Sequence, residues 1–160
     1  MSCASVAFLP SLTRLRSLDL YMASEVHLAA EIAAGLPCCS QLTELRLLYA
    51  ADVTAQHLSQ ALPHLPLLRS LELARCSALD SLSFLSQCSP LAQPLQSLRL
   101  CGPGRPAAHF TELKHVLSLK SLTHLDVERF FVESLDALMV HVLTPPSTVL
   151  TKLEKFSYWK

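Results

Sequence analysis

The sequence carries little charge, and its charges cancel: 13 Lys and Arg balance 13 Asp and Glu, and charged residues make up 16% of the 160. A nucleic-acid-binding domain shows a basic patch or stripe, and this chain has none, so we expect neither nucleic acid nor a membrane surface as a partner. No apolar run reaches the roughly 18 residues of a membrane-spanning helix. The first ten residues lack the charged n-region of a secretory signal peptide, which favours an intracellular, cytoplasmic protein.

Signatures of metal, cofactor and phosphate sites are also missing. The seven histidines contain no H-x-x-x-H pair. The segment 102–104 has two glycines but not the spacing of a phosphate-binding loop, and Pro103 removes an N–H that such a loop would use. No C-x-x-C pair, which would suggest a zinc site, occurs among the six cysteines, which are Cys3, Cys38, Cys39, Cys76, Cys88 and Cys101. We therefore expect no metal and no cofactor.

Leucine is abundant instead, with 35 among the 160 residues. It recurs in the frame L-x-x-L-x-x-L-x-L, which is complete at residues 65–73. The third frame position occurs six times, at intervals of 27, 26, 27, 27 and 31 residues: Leu18, Leu45, Leu71, Leu98, Leu125 and Phe156. Such a period indicates an array of supersecondary units, each of which buries its apolar face against its neighbours.

The unit L-x-x-L-x-L resembles the leucine-rich repeat over nearly the whole chain, and its length is similar to the helix-bearing, ribonuclease-inhibitor-like and cysteine-containing types. The resemblance implies an α/β solenoid (horseshoe) with a concave parallel sheet and convex helices, in about 5.5 repeats. Residues 1–160 would form one domain, and the lack of obvious capping units predicts a fragment of a longer array. The predicted strands lie near residues 16–20, 43–47, 69–73, 96–100, 123–127 and 154–158.

The stretches between strands carry helix signals. Residues 25–36 are alanine-rich with apolar residues at helical spacing, and Thr54 stands where an N-cap is expected before a second helix. Another helix is predicted near 107–119. Prolines follow Leu36 and Leu62, and they predict that the helices end there, because proline disfavours the helical conformation of the preceding residue.

Alternation along the strands places a column of side chains at the centre of the concave face: Asp19, Arg46, Glu72, Arg99, Asp126 and Ser157. Opposite charges on adjacent strands contribute roughly 0.2–1 kcal/mol per pair. Two interpretations stay open, because the column either neutralises itself and fixes the register, or exchanges partners to bind a polar protein segment. Tyr21 and Trp159, in a flanking column, are further candidate binding residues, since Tyr, Trp and Arg are enriched in interface hot spots.

The resemblance implies a non-enzymatic scaffold that binds a protein through the concave sheet and the adjacent loops. The best catalytic pair, Cys101 and His124, is predicted to lie roughly 13 Å apart along adjacent strands, whereas a nucleophile and its base need about 2.6–3.2 Å. Two alternatives are the substrate-recognition part of a ubiquitin-ligase adaptor and a regulator or inhibitor of a cytosolic enzyme. Open sheet edges in a fragment would also allow edge-to-edge self-association.

We predict that all six cysteines are free thiols when the protein is produced in a reducing compartment, because intracellular proteins seldom carry disulfides. The intact mass of the denatured, unreduced protein should equal that of the fully reduced chain. A parallel sample that has been treated with reductant provides the control. A mass that is lower by two hydrogens per bridge would contradict the intracellular assignment.

Overall fold

The computed structural model describes residues 6–22, 27–87, 94–102, 115–116, 118–128 and 152–159, with backbone only for 158 and 159. A six-stranded parallel sheet organises these residues, and its strands are adjacent in chain order. The strands are β1 (Ser17–Tyr21), β2 (Glu44–Leu48), β3 (Ser70–Ala74), β4 (Ser97–Cys101), β5 (His124–Glu128) and β6 (Lys155–Trp159).

Each strand lies one residue further along the chain than the sequence predicted. The residue just ahead of each of β1 to β5 has a carbonyl that accepts two hydrogen bonds: the Arg16 carbonyl, for example, accepts from both Thr43 N and Glu44 N, at 2.8 and 3.0 Å. The Thr43 carbonyl accepts in the same way from Arg69 N and Ser70 N. This shared acceptor precedes the regular ladder, so alternation begins one residue later.

Two short helices and one helical turn connect the strands of the described repeats: α1 (Ala29–Gly35), α2 (Ala55–Ala61) and α3 (Phe84–Gln87). α1 is shorter than the predicted 25–36, whose first two residues lie outside the described residues. Thr54 is the predicted N-cap of α2, and it forms a capping box in which its side chain accepts from His57 N while His57 accepts from Thr54 N. The predicted helix at 107–119 lies largely outside the described residues.

Both α-helices end just before the Leu–Pro steps, as predicted, at Gly35 and Ala61, but the chain stays helical beyond them. α1 and α2 each continue directly into a 3-10 turn, Leu36–Cys38 and Leu62–His64, with the proline in its first turn. Proline is tolerated there because the N–H groups of a first turn have no partner inside the helix. A third 3-10 turn, Leu9–Ser11, places its proline in the same way before β1.

The frame leucines form the core between the sheet and the connections. Leu45, Leu71 and Leu98 are 0–1% exposed, and α1 packs on α2, which in turn packs on α3. Burial is less complete in the first unit. Leu12, which precedes β1, is 36% exposed, although its counterpart Leu65 is completely buried. Parallel pairing therefore fixes the position of each apolar side chain relative to the preceding unit.

Leu71→Ala tests this core at the centre of β3. The change deletes a completely buried side chain, and large-to-small core substitutions cost about 2–5 kcal/mol. We expect a loss of that size in the free energy of unfolding, measured by urea titration. The control is Leu67→Ala, because Leu67 is 43% exposed and should change stability by less than about 0.5 kcal/mol. Equal effects of the two variants would contradict the assignment.

Candidate functional site

One face of the sheet is lined by side chains that are exposed or half-buried, with Ala74 as the buried exception among the described residues. We call it the open face. Parallel sheets are normally covered on both faces, so an accessible face is unusual. Its side chains form three columns across the strands, because the register pairs Asp19 with Arg46, Arg46 with Glu72, and so on to Ser157.

The central column forms a network of ion pairs that we call the charge row: Asp19, Arg46, Glu72, Arg99 and Asp126. Arg46 donates from Nη1 to Asp19 Oδ2 at 2.9 Å and from Nε to Glu72 Oε2 at 2.8 Å. These lengths are typical of strong charge-assisted hydrogen bonds. The hydrogen bond to Glu72, followed by the nearby carboxylate charges, raises the pKa of the Arg46 guanidinium.

Glu72 joins the two halves of the charge row. Its side chain is only 12% exposed, and its other oxygen, Oε1, lies 3.5 Å from Nη1 of Arg99. Arg99 also approaches Asp126 Oδ2 at 3.6 Å and Glu128 Oε2 at 3.5 Å. Arg99 therefore shares its charge among three carboxylates at distances longer than those of Arg46, so the row is tightly paired at β1–β3 and more loosely paired at β4–β5.

The loosely paired end borders a shallow depression of about 140 Å³, lined by side chains of β4, β5 and β6 that include Ser97, His124 and Lys155. Asp126 also lines it. The Oδ1 atom of Asp126 is buried and accepts no hydrogen bond from any described residue. A buried acceptor without a donor is unfavourable, so Asp126 is the least satisfied member of the charge row.

An aromatic and cationic cluster lies where the first three strands end. The rings of Tyr21 and Tyr49 have their centroids 4.9 Å apart and are tilted by 50°. The guanidinium carbon of Arg75 lies 5.0 Å from the Tyr49 ring centroid, within the range of a cation–π interaction. We call these three residues the Tyr–Arg corner. Tyr21 is 72% exposed, whereas Tyr49 and Arg75 are half-buried.

Backbone geometry fixes the two inner members of the corner. Tyr49 and Arg75 directly follow β2 and β3, and they donate backbone hydrogen bonds to the last carbonyls of the next strands, Ala74 and Cys101, at 2.8 and 2.9 Å. Both have left-handed φ angles, 59° and 55°. This conformation is unfavourable for side chains of their size, and Gly102 occupies the corresponding position after β4.

The register also sets the distances between side chains that could act in catalysis. Cys101 pairs with Glu128 and Ser97 with His124, so Cys101 and His124 are four positions apart along adjacent strands, as the sequence predicted. Within the described ranges, no three His, Cys, Asp or Glu side chains are grouped in a way that could hold a metal ion. Burial raises the pKa of the Cys76 thiol to about 11, which disfavours the reactive thiolate.

The other described cysteines also lack the features of a reactive thiol or a disulfide. Burial, and then the neighbouring Cys38, raises the pKa of the Cys39 thiol. Cys38, Cys39, Cys76 and Cys101 form no disulfide, whereas Cys3 and Cys88 lie outside the described residues. None of the helices in the described part of the chain has both the length and the hydrophobicity that a membrane crossing requires.

The predicted binding residues divide into two groups in the structure. Asp19, Arg46, Glu72, Arg99 and Asp126 contact one another in the charge row. Tyr21 belongs to the corner instead, and the Trp159 side chain lies outside the described residues. Tyr49 and Arg75 were not predicted, because the position that directly follows a strand was not read as part of the surface. The sequence did contain a signal for them, because a tyrosine and an arginine directly follow the strands of two successive units.

Comparison with known proteins identifies a fold but no family. No family model matches the chain, and no curated protein matches it. The fold is similar to that of a chain in the crystal structure of the yeast Rad7–Elc1 complex. That match has a TM-score of 0.71, covers 98% of this chain and has 17% sequence identity. This chain spans 38% of the length of the matched chain.

Arg46→Glu tests the charge row, because it would place three acids side by side at positions 19, 46 and 72. Two favourable pairs would be replaced by two like-charge pairs, each worth roughly 0.2–1 kcal/mol, so we expect a loss of about 1–2 kcal/mol in the free energy of unfolding. The loss should shrink at high ionic strength, where exposed pairs are screened. Both quantities can be measured by urea titration at low and high salt.

The matched control is Arg14→Glu, which changes the net charge equally at an exposed position ahead of β1. Its stability should stay close to that of the wild type. A charge row without structural importance would leave Arg46→Glu as stable as this control.

Proposed function

We propose that this protein is a non-enzymatic scaffold that binds a protein partner through the open face and the loops at its edges. The accessible face of a parallel sheet is the observation that carries the proposal, since such faces are normally covered. The described strands present aromatic, cationic and anionic side chains there in three regular columns. Tyr21, Arg46 and Arg99 belong to the residue types that are most enriched in interface hot spots.

The proposal includes the leucine-rich repeat solenoid, with the open face on the inside of its curve. The 26–31-residue period and the chain-order strand sequence support it, because a solenoid unit contacts only its neighbours. The fold match to a chain from a two-protein complex is compatible with a binding role, although at 17% identity it concerns the fold alone. A cytoplasmic location and membership of a longer array stay predictions.

The charge row suits a preorganised binding surface. Its side chains are already held in place by one another, so a partner would order few additional rotamers, and the ordering of side chains is a substantial part of the cost of association. Glu72 is largely buried and pairs with two arginines, and the outer members of the row are more exposed. A partner would therefore contact arginines whose orientation is fixed before binding.

The alternatives depend on features beyond the described residues. A substrate-recognition part of a ubiquitin-ligase adaptor would use the same open face for its substrate, together with a separate adaptor-binding segment. A regulator or inhibitor of a cytosolic enzyme is favoured less, because such a surface would be expected to carry charge of one sign, whereas the charge row alternates.

Ser97→Arg tests the use of the open face. Ser97 is half-buried in β4 beside the depression, so the larger side chain would project over the charge row and block a partner without disturbing the core. Affinity capture with the wild-type and variant chains as baits, quantified by mass spectrometry, should show partners whose recovery falls at least tenfold with Ser97→Arg.

Ser59→Arg is the matched control, because Ser59 is half-buried on α2, on the connection side of the sheet. It should retain the partners that Ser97→Arg loses. Partners that are lost equally from both variants, or from neither, would count against binding through the open face.

A further inference from the structure

We propose that the Tyr–Arg corner is the specificity site of the open face, and that it binds an acidic side chain of a partner protein segment with an apolar residue one or two positions away. This inference rests on the proposed function and narrows it to a partner of stated chemistry.

The charge of Arg75 separates it from the other arginines of the open face. Arg46 and Arg99 each contact two or more carboxylates. No carboxylate among the described residues forms an ion pair with Arg75, whose guanidinium lies over the Tyr49 ring instead. Arginine stacked on an aromatic ring keeps its hydrogen-bond donors available at its edge. Arg75 is therefore an oriented cation that a carboxylate from outside could pair with.

An apolar strip adjoins this cation. The third column of the open face places Leu48, Ala74 and Cys101 side by side on β2, β3 and β4, and Arg75 directly follows Ala74. Ala74 is 7% exposed, and the other two are half-buried. A ligand that brings its acidic group to Arg75 would thus have an apolar floor beside it, on which an adjacent aliphatic or aromatic side chain could lie.

Tyr21 closes the β1 end of this strip. It pairs with Leu48 in the register, packs against the Tyr49 ring in a tilted arrangement and leaves 72% of its surface to solvent. Exposed tyrosine provides a large apolar area with little loss of conformational freedom when it is covered. An oriented cation, an apolar floor and an aromatic wall at one edge of the face form a site for a mixed acidic and apolar segment.

The backbone supports a functional origin for the corner. Left-handed backbone is costly for residues other than glycine, and it occurs in two successive units at Tyr49 and Arg75. Strained positions cluster where side chains are held for recognition. The strain here places both residues at the end of the ladder with their side chains in contact.

The surrounding field favours a peptide over nucleic acid. Asp19 lies two residues before Tyr21 on the same face, and Glu128 lies beside Cys101 in the same column as the apolar strip. These carboxylates would repel a polyphosphate backbone, whereas a peptide can place a single carboxylate at Arg75 and present uncharged groups elsewhere. The chain as a whole has no net charge, whereas nucleic-acid-binding domains are typically strongly basic.

The test selects short random peptides displayed on phage against the folded wild-type chain. We expect the recovered peptides to share Asp or Glu followed or preceded within two positions by a large apolar residue. A fluorescein-labelled peptide from this set is then titrated against variants by fluorescence polarisation. Arg75→Asn should weaken its binding about tenfold or more, because a charge-assisted contact is lost.

The variants are chosen to keep the fold. Asn adopts left-handed backbone more readily than most residues, so Arg75→Asn removes the cation without adding strain. Arg14→Asn removes an equally positive side chain outside the corner and should leave the affinity unchanged. Tyr21→Ala provides a second variant that leaves the strained backbone untouched, and it should weaken the same peptide, whereas Phe8→Ala, at another exposed aromatic residue, should not.

The outcomes separate this inference from the proposed function. If the recovered peptides lack acidic residues but bind Ser97→Arg more weakly than the wild type, the role of the corner is overturned and binding through the open face is supported. Acidic peptides that bind Arg75→Asn and Tyr21→Ala as tightly as the wild type would also overturn the corner. Peptides that are insensitive to every open-face variant would overturn both. Binding of oligothymidylate that Arg75→Asn abolishes would replace the peptide with nucleic acid and overturn the inference.

Discussion

The alternation of side chains along a parallel ladder is the constraint on which this structure depends. In β1 to β5 the frame leucines point to the connections, and the intervening residues point to the open face, so one register serves both layers. A slip of one residue would exchange the two sets and would place charge in the core. The completely buried leucines and the charge row therefore hold the same register from opposite sides of the sheet.

The open face has one part whose charges pair with one another and another part whose cation has no such partner among the described residues. Arg46 holds Asp19 and Glu72 at hydrogen-bond distance, and exposed pairs of this kind contribute little stability individually. Their larger effect is to fix side chains that would otherwise be mobile. The Tyr–Arg corner has no such ion pair among the described residues, because the Arg75 guanidinium lies over a tyrosine ring instead of beside a carboxylate. Order at the centre of the face is thus combined with an available charge at its edge.

Much of this arrangement followed from the sequence. The leucine period predicted the parallel pairing, and the alternation rule placed Asp19 beside Arg46 and Cys101 far from His124. The strand limits were wrong by one residue, because a carbonyl shared by two N–H groups leaves no pattern in the side chains. Tyr49 and Arg75 were missed for a related reason, since their positions depend on left-handed backbone that alternation does not describe. Spacing predicts columns well and predicts the ends of strands poorly.

The alternating signs of the charge row also limit how the array can change in length. Loss of the unit that carries Arg46 would bring Asp19 beside Glu72, and loss of the unit that carries Glu72 would bring Arg46 beside Arg99. Loss of both together would leave Asp19 beside Arg99, a favourable pair. The same argument holds for duplication. Although the leucine frame would accept units singly, the alternating pairs of the charge row are kept only when units are added or removed in pairs.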